Sequence, residues 1–324
     1  MLHHLRLGRL AFCISALFLA ASAQAADLEK VAKLLPDETE TVMSVNLRQI
    51  LDSAVVKKYG LEKLKDALDS QGDIKEYLKD MGMDPFKDID QIIVGSAGSS
   101  DADKGLVIIS GRFNQEKVEA KAKEIAKDKS DFIKVDKIGT HTVFEVSVPN
   151  APQSMYACVI SKNMILAASS KATLEDALEK NAGKKTTKLK NKQIGEVVTK
   201  MDDKQSFWVV LPASAFPADF LNGNEDAKKI LESIDVITAG ATLTDKLVIR
   251  AGITATDAEA AKSLNKKIKQ GLAMVQGFLA LNDQTAPIAE AIGKIKTTAN
   301  DKMISIEGEL SAEILEQLFK LGDQ

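Results

Sequence analysis

Short runs of apolar and β-branched residues, set off by polar turn residues, recur along the chain, and these runs predict the strands. They are Thr41–Asn46, Ile89–Gly95, Gly105–Arg112, Phe132–Ile138, His141–Val148, Met155–Ser161 and Met164–Ser169, each rich in β-branched residues or bounded by turn residues. Lys162-Asn163 and Ile138-Gly139-Thr140 make hairpin turns, because Asn and Gly tolerate positive φ. Steps of three and four mark helices instead. Glu116–Lys127 gathers Val118, Ala122 and Ile125 on one stripe, as expected of a helix lying on a sheet. Asp257–Leu281 repeats the spacing with Ala261, Leu264, Ile268, Leu272, Val275 and Leu279, and Thr256 with Glu259 predicts a capping box at its start. Asp52–Leu68 and Leu174–Lys180 read as shorter helices, and Ser311 is expected to cap a closing helix through Phe319.

The pattern also repeats. Leu106-Val107-Ile108-Ile109-Ser110-Gly111 returns as Leu247-Val248-Ile249-Arg250-Ala251-Gly252, each followed by a polar helix start. Asp88–Ile92 matches Ser233–Ile237, Val42–Val45 matches Phe207–Val210, and Lys162–Ile165 matches Asp301–Ile304. Four matches in the same order point to a duplicated unit. The predicted fold is α+β: two tandem related units, each an antiparallel sheet with helices on one face and a ferredoxin-like split β-α-β order at its centre. The expected boundaries are a signal peptide over 1–25, a first unit over 26–183, a Lys-rich connector over 184–192 and a second unit over 193–324.

The first of these segments changes the chemistry of the rest. His3, His4, Arg6 and Arg9 precede an apolar stretch, Leu10–Ala20, and a small-x-small site, Ala23-Gln24-Ala25. This is the pattern of a secretory signal peptide and is too short to span a membrane. Its removal leaves 299 of 324 residues and takes the formal charge from −3 to −5, since it carries two arginines and no acids. The expected product is periplasmic or secreted, without a transmembrane segment. Phe12 before Cys13 is too bulky for a lipid-anchor site. One histidine (His141), one cysteine (Cys158) and one tryptophan (Trp208) remain after cleavage. Cys158 then has no partner for a disulfide; within Met155–Ile160 it reads as a buried small hydrophobe or as a reactive thiol. The acidic balance speaks against nucleic acid, and aromatics at 5% speak against stacking platforms.

No catalytic constellation assembles from these residues. His141 has no nucleophile-elbow serine, although Ser96 and Ser99 follow a strand. A zinc site from one His and one Cys falls short of three protein ligands. Asp101–Gly105 and Asn222–Asp226 cluster oxygens without the twelve-residue calcium-loop spacing. No phosphate-cradling glycine motif occurs, and no cofactor is expected. Asp84, Asp88 and Asp90 are the acids that a carboxylate- or metal-dependent hydrolase would use. They stand in Asp84-Pro85-Phe86-Lys87-Asp88-Ile89-Asp90, which also reads as the lead-in to a strand, with Pro85 fixing the turn and Phe86 anchoring it.

That segment, Gly111-Arg112-Phe113 after the next strand, and the signal peptide together resemble a group of uncharacterised secreted proteins common in planctomycete-type bacteria. The similarity covers most of the first unit and is weaker in the second, where Gly252-Ile253 replaces Gly-Arg-Phe. It implies export and an α+β fold and brings no catalytic residues.

The chain therefore reads as an exported non-enzymatic binding or structural protein with an envelope or extracellular partner. The alternatives are a carrier or sensor of an apolar ligand or lipid, and the hydrolase. Leu272–Leu281 is apolar nearly all round, so it is expected to be buried between the units, in a subunit interface or along a pocket wall. Leu272, Val275, Phe278 and Leu279 are its candidate contact residues. Lys184 and Lys185, in a connector with five lysines and no acids, are candidates for an anionic partner, or belong to a solvated link.

Overall fold

In the computed structural model, β1 (Thr41–Val45) pairs with β2 (Ile89–Ser96) on one side and with β8 (Phe207–Pro212) on the other, so that Val42 stands between Gly95 and Val210. The structure describes residues 27–321 apart from 71, 99–102, 129, 148–152, 216–224 and 283. The signal segment, Ser99, Asp101 and most of the Asn222–Asp226 cluster lie outside the described residues.

The pairing of β1 with β8 joins both halves in one antiparallel sheet. The other strands are β3 (Leu106–Gly111), β4 (Ile133–Ile138), β5 (His141–Val146), β6 (Met155–Ser161), β7 (Met164–Ala168), β9 (Ile234–Leu243), β10 (Leu247–Ala255), β11 (Lys296–Asn300) and β12 (Met303–Leu310). The order across the twelve strands is β11-β12-β10-β9-β8-β1-β2-β3-β7-β6-β5-β4. The fold is α+β. Outward from the seam, the strands run β1-β2-β3-β7 in one direction and β8-β9-β10-β12 in the other, which is the order of the four sequence matches.

Helices lie on both faces of the first half rather than on one. Ile92 and Ile93 are neighbours in β2 and point to opposite faces, as do Ile165 and Leu166 in β7. Ile93, Leu166 and Cys158 pack with Leu28, Val31 and Leu34 of α1 (Leu28–Leu34), Leu174 and Leu178 of α7 (Lys171–Asn181), and Ile194 and Val198 of α8 (Lys192–Val198). On the other face, Ile92, Ile165 and Val159 pack with Val118 of α6 (Gln115–Asp128), whose Ala122 and Ile125 cover Ile133 and Phe144. Strands buried on both sides read as nearly continuous apolar runs, which hides the second helical layer from an alternation argument.

The expected helix over Asp52–Leu68 is broken into α2 (Leu47–Asp52), a π-helical turn at Val56–Gly60 and α3 (Leu61–Asp69). Ser53 makes the break: its hydroxyl donates to the Ile50 carbonyl and accepts from the Val56 N–H, so it competes with the helical bonds. α4 (Gly72–Asp80) follows. The strand lead-in at Pro85 is a one-turn helix, α5 (Pro85–Asp88). The second half carries α9 (Glu225–Glu232), α10 (Ala258–Leu279), α11 (Ala286–Gly293) and α12 (Ala312–Leu321).

The connector is not a free solvated link. The Lys188 N–H donates to Asp37 Oδ1 (3.0 Å) and the Lys190 N–H to the Asp37 carbonyl (2.8 Å). Thr187 donates to the Lys33 carbonyl, Lys185 pairs with Asp176, and Lys190 lies 3.6 Å from Glu38. These bonds hold the segment against α1 and α7, and α8 then enters the core of the first half.

Candidate functional site

Among the described residues α10 is the longest helix, with 22 residues, about 33 Å of axis. Asp257, not Thr256, caps it: the Asp257 carboxylate accepts from the Glu259 and Ala260 N–H groups. Ala261 and Leu264 are buried against Ala255 and Ile304, with Ile268 packed beside them. That places the helix over the outer strands of the second half, remote from the seam, so it is not core between the halves.

Its two ends differ on the outward side. Lys262, Lys266, Lys267 and Lys269 are exposed in the first part, and no Asp or Glu occurs between Ala260 and Asn282. Among the described residues none of these four lysines is paired with a carboxylate. Met274, Phe278 and Leu281 follow at steps of four and three and are 74%, 74% and 83% exposed, with Val275 beside them. The expectation that Leu272–Leu281 is buried therefore fails at Phe278 on the outward face, and also at Val275, which continues the inward stripe yet is 45% exposed. Leu272 and Leu279 turn inward and are only half-buried.

Gly271 and Gly277 lie in the same stretch, and a Cβ at either would meet nothing within 4 Å. Neither is imposed by packing, and each makes the helix about 1 kcal/mol less favourable than alanine would.

A second apolar area lies on the sheet. Met43 is opposite Val209 in β8, while Phe207 and Ile249 flank Ala241 in β9. The register puts all three on one face, and each is more than a third exposed.

The remaining sequence candidates have structural partners. Asp84 Oδ1 caps α5 by accepting from the Phe86 N–H (3.0 Å), and Asp88 Oδ2 accepts from the Asp84 N–H (2.7 Å). Asp90 lies 3.0 Å from Arg48 Nε and 3.5 Å from Arg112. Lys87 beside Asp84 holds its carboxyl below the usual carboxylate range. The three acids serve a helix cap, a turn and an ion pair, and they do not converge on a cleft. Lys185 is tied to Asp176, whereas Lys184 is exposed. His141 opens β5 opposite Ile138, across a turn in which Gly139 has φ 58°. Cys158 is buried, and burial, helped by the nearby Glu119 charge, pushes its thiol up to about 11. It is the inert small hydrophobe of the two readings.

Among the described residues, no cluster of three or more His, Cys, Asp or Glu side chains could hold a metal ion. No described helix is long and apolar enough to cross a membrane. Three surface hollows have charged and polar residues at their walls: Glu38, Glu40 and Lys190 in one, Arg48, Asp52 and Lys204 in another, whose lining surface is mostly their apolar stems, and Asp80 and Lys121 in the third. Leu272 and Leu279 line none of them, so α10 does not form the wall of these hollows.

No protein-family model and no curated protein matches the chain. Two solved structures of the protein TP0453 are similar in outline. Crystal form III is 10% identical and superposes with a TM-score of 0.48 over 92% of this chain and 99% of that one. Crystal form I is 9% identical, with a TM-score of 0.49 over 93% and 98%. The likeness is too loose to carry a function.

Met274 and Leu281 are exposed apolar residues of the same stretch that were not among the sequence candidates. Extending the lysine stripe from Lys267 in helical steps reaches Met274, Phe278 and Leu281, and that stripe was the available signal.

Proposed function

We propose that this chain is an exported, non-enzymatic binding protein of the cell envelope that docks on an anionic lipid surface through the outward face of α10. The observation that carries the reading is the sequence of groups along that face: four exposed lysines, then Met274, Val275, Phe278 and Leu281. A helix with lysines beside large apolar side chains settles in the plane of a membrane interface, apolar groups in the acyl boundary and ammonium groups among the phosphates. Each lysine near an anionic surface contributes about 1 kcal/mol, and each fully buried large side chain about 1.5–3 kcal/mol. The net charge, −3 for the full sequence and −5 once residues 1–25 are removed, opposes approach, but it is spread over the whole surface and screened beyond about 8 Å at physiological salt. The lysines lie within that range of the contact.

The same reading takes the two halves as copies of one unit, supported by the matched strand order, with the long helix as the second copy's specialised part. Flotation of the mature chain with vesicles tests the docking. Vesicles containing phosphatidylglycerol should carry the protein and pure phosphatidylcholine vesicles should not. Met274→Glu with Phe278→Glu should abolish flotation, and raised salt should weaken it. A wild-type chain that stays behind with both kinds of vesicle would overturn the proposal.

A second reading, carriage of an apolar ligand, is favoured by the exposed patch of Met43, Phe207 and Ile249 on the sheet. Mass spectrometry of the purified protein tests it: a stoichiometric co-purified lipid lost on Ile249→Glu would support it, and its absence would end it.

A further inference from the structure

We propose that residues 271–293, the second half of α10 with α11, form a hinged arm that swings as one body about Gly271 and Gly293 when the protein meets a lipid surface. The inference rests on the docking reading and adds how the site is presented.

The arm is held together from within. The Gln276 amide lies against Gly293 so closely that a Cβ there would overlap it. Thr285 Oγ1 donates to the Leu279 carbonyl (2.6 Å), and the Ala286 N–H donates to the Asn282 carbonyl (3.0 Å). Thr285 and Asn282 thus tie the end of one helix to the start of the next, an αα-hairpin with a short bonded turn.

Its attachment to the sheet is slight by comparison. No described residue from Asn265 to Asn282 is buried, and the only buried residues of α11 are Ala289 and Ala291. The larger side chains of the arm, Leu272, Leu279, Ile288 and Ile292, are only half-buried, and alanines remove little apolar area from water, so less is lost on opening than for a fully buried face. On the body side of each junction stands a buried polar atom with no hydrogen-bond partner, Asn265 Oδ1 in α10 and Thr297 Oγ1 in β11. Water reaching them on opening would satisfy both.

The junctions themselves are glycines. Gly271 lies two turns past Leu264, the last buried residue of α10, with open space at its Cβ position, so nothing in the packing calls for glycine there. Its backbone freedom is what a hinge uses. Gly277 has the same open surroundings but lies inside the arm, which makes it the control: alanine at either position raises helix propensity alike, and only alanine at 271 stiffens the hinge.

Spin labels at Lys262→Cys and Gln284→Cys in the mature chain measure the motion, since buried Cys158 will not take the label. The free protein should give a broad distance distribution that shifts by several ångströms on phosphatidylglycerol vesicles. Hydrogen exchange should be at least about ten-fold faster over 272–293 than over 258–268. Gly271→Ala should narrow the distribution and Gly277→Ala should not. A single narrow distance, equal with and without bound vesicles, would overturn the arm and leave the docking intact. Equal narrowing by both alanine variants would overturn the hinge at Gly271. A broad distribution in a protein that binds no vesicles would keep the arm and overturn the docking.

Discussion

Lys180 Nζ donates to Asp37 Oδ1 at 2.8 Å with its own side chain fully buried, and it reaches Asp176 Oδ2 at 2.7 Å as well. The pair ties α7 to the loop after α1, and the Leu35 carbonyl accepts a further bond from the same ammonium group. Removing Lys180 takes away the buried charge itself, empties the space of its stem and leaves the Leu35 carbonyl and two partly exposed carboxylates without their shared donor. Lys180→Ala should cost about 2–4 kcal/mol, read as a drop in the urea midpoint. Lys180→Met, which keeps the volume, should cost less.

The same contact makes stability depend on acid. Burial would raise the pKa of Asp37, but the bonds from Lys180 and the Lys188 N–H outweigh it and hold the group below its ordinary value of 3.8. A carboxyl lowered in the folded state binds fewer protons than in the unfolded chain. Its contribution is therefore full above the ordinary value and is lost as pH falls through the folded one. Urea midpoints measured between about pH 6 and pH 2.5 should fall less steeply for Asp37→Asn than for the wild type.

Gly111 stands under the carbonyl of Asp88, where a Cβ would overlap that backbone oxygen. The Arg112 N–H donates to the same carbonyl at 2.8 Å, so the oxygen is not free to retreat. Gly111→Ala should destabilise by about 2–3 kcal/mol or more, seen in thermal unfolding. Gly139→Asn, in an open hairpin turn at positive φ, should change little.

The three acids Asp84, Asp88 and Asp90 should behave as structural groups. Asp84→Ala removes a helix cap and should cost about 1 kcal/mol, measurable by chemical denaturation. Should a broad hydrolase panel detect turnover that Asp84→Asn abolishes without a change in stability, the carboxylate chemistry would return.

Cys158, with its thiol raised to about 11 by burial, should react with a thiol reagent at neutral pH only as fast as the protein opens. Adding urea past the unfolding midpoint should raise the labelling rate by orders of magnitude.

The pattern of apolar runs between turn residues was enough to find the first seven strands, because each is short, β-branched and closed by a turn. It was not enough for α1, α8, α9 or α11. These have seven or eight residues, too few turns for a period of 3.6 to stand out. The pairing of Val42 with Val210 is a contact between distant segments, and local pattern holds no record of it. Phe278 illustrates the limit at the candidate site. An all-round apolar helix is normally a buried one, and only the position of α10 over the outer strands, past the last cover, reverses that inference. Val275 and Phe278 were singled out on an expectation of burial that their exposure reverses, and Met274 and Leu281 became visible only with their exposure.

The seam between β1 and β8 has a consequence for how the molecule comes apart. Neither half carries a protected border there: severing the chain within 184–192 would strip hydrogen-bond partners from Val42–Val45 and Phe207–Val210 alike and leave two raw edges ready to recruit other chains. Expressed separately, residues 26–183 and 193–324 should precipitate, while the intact protein should lose its structure in one concerted step.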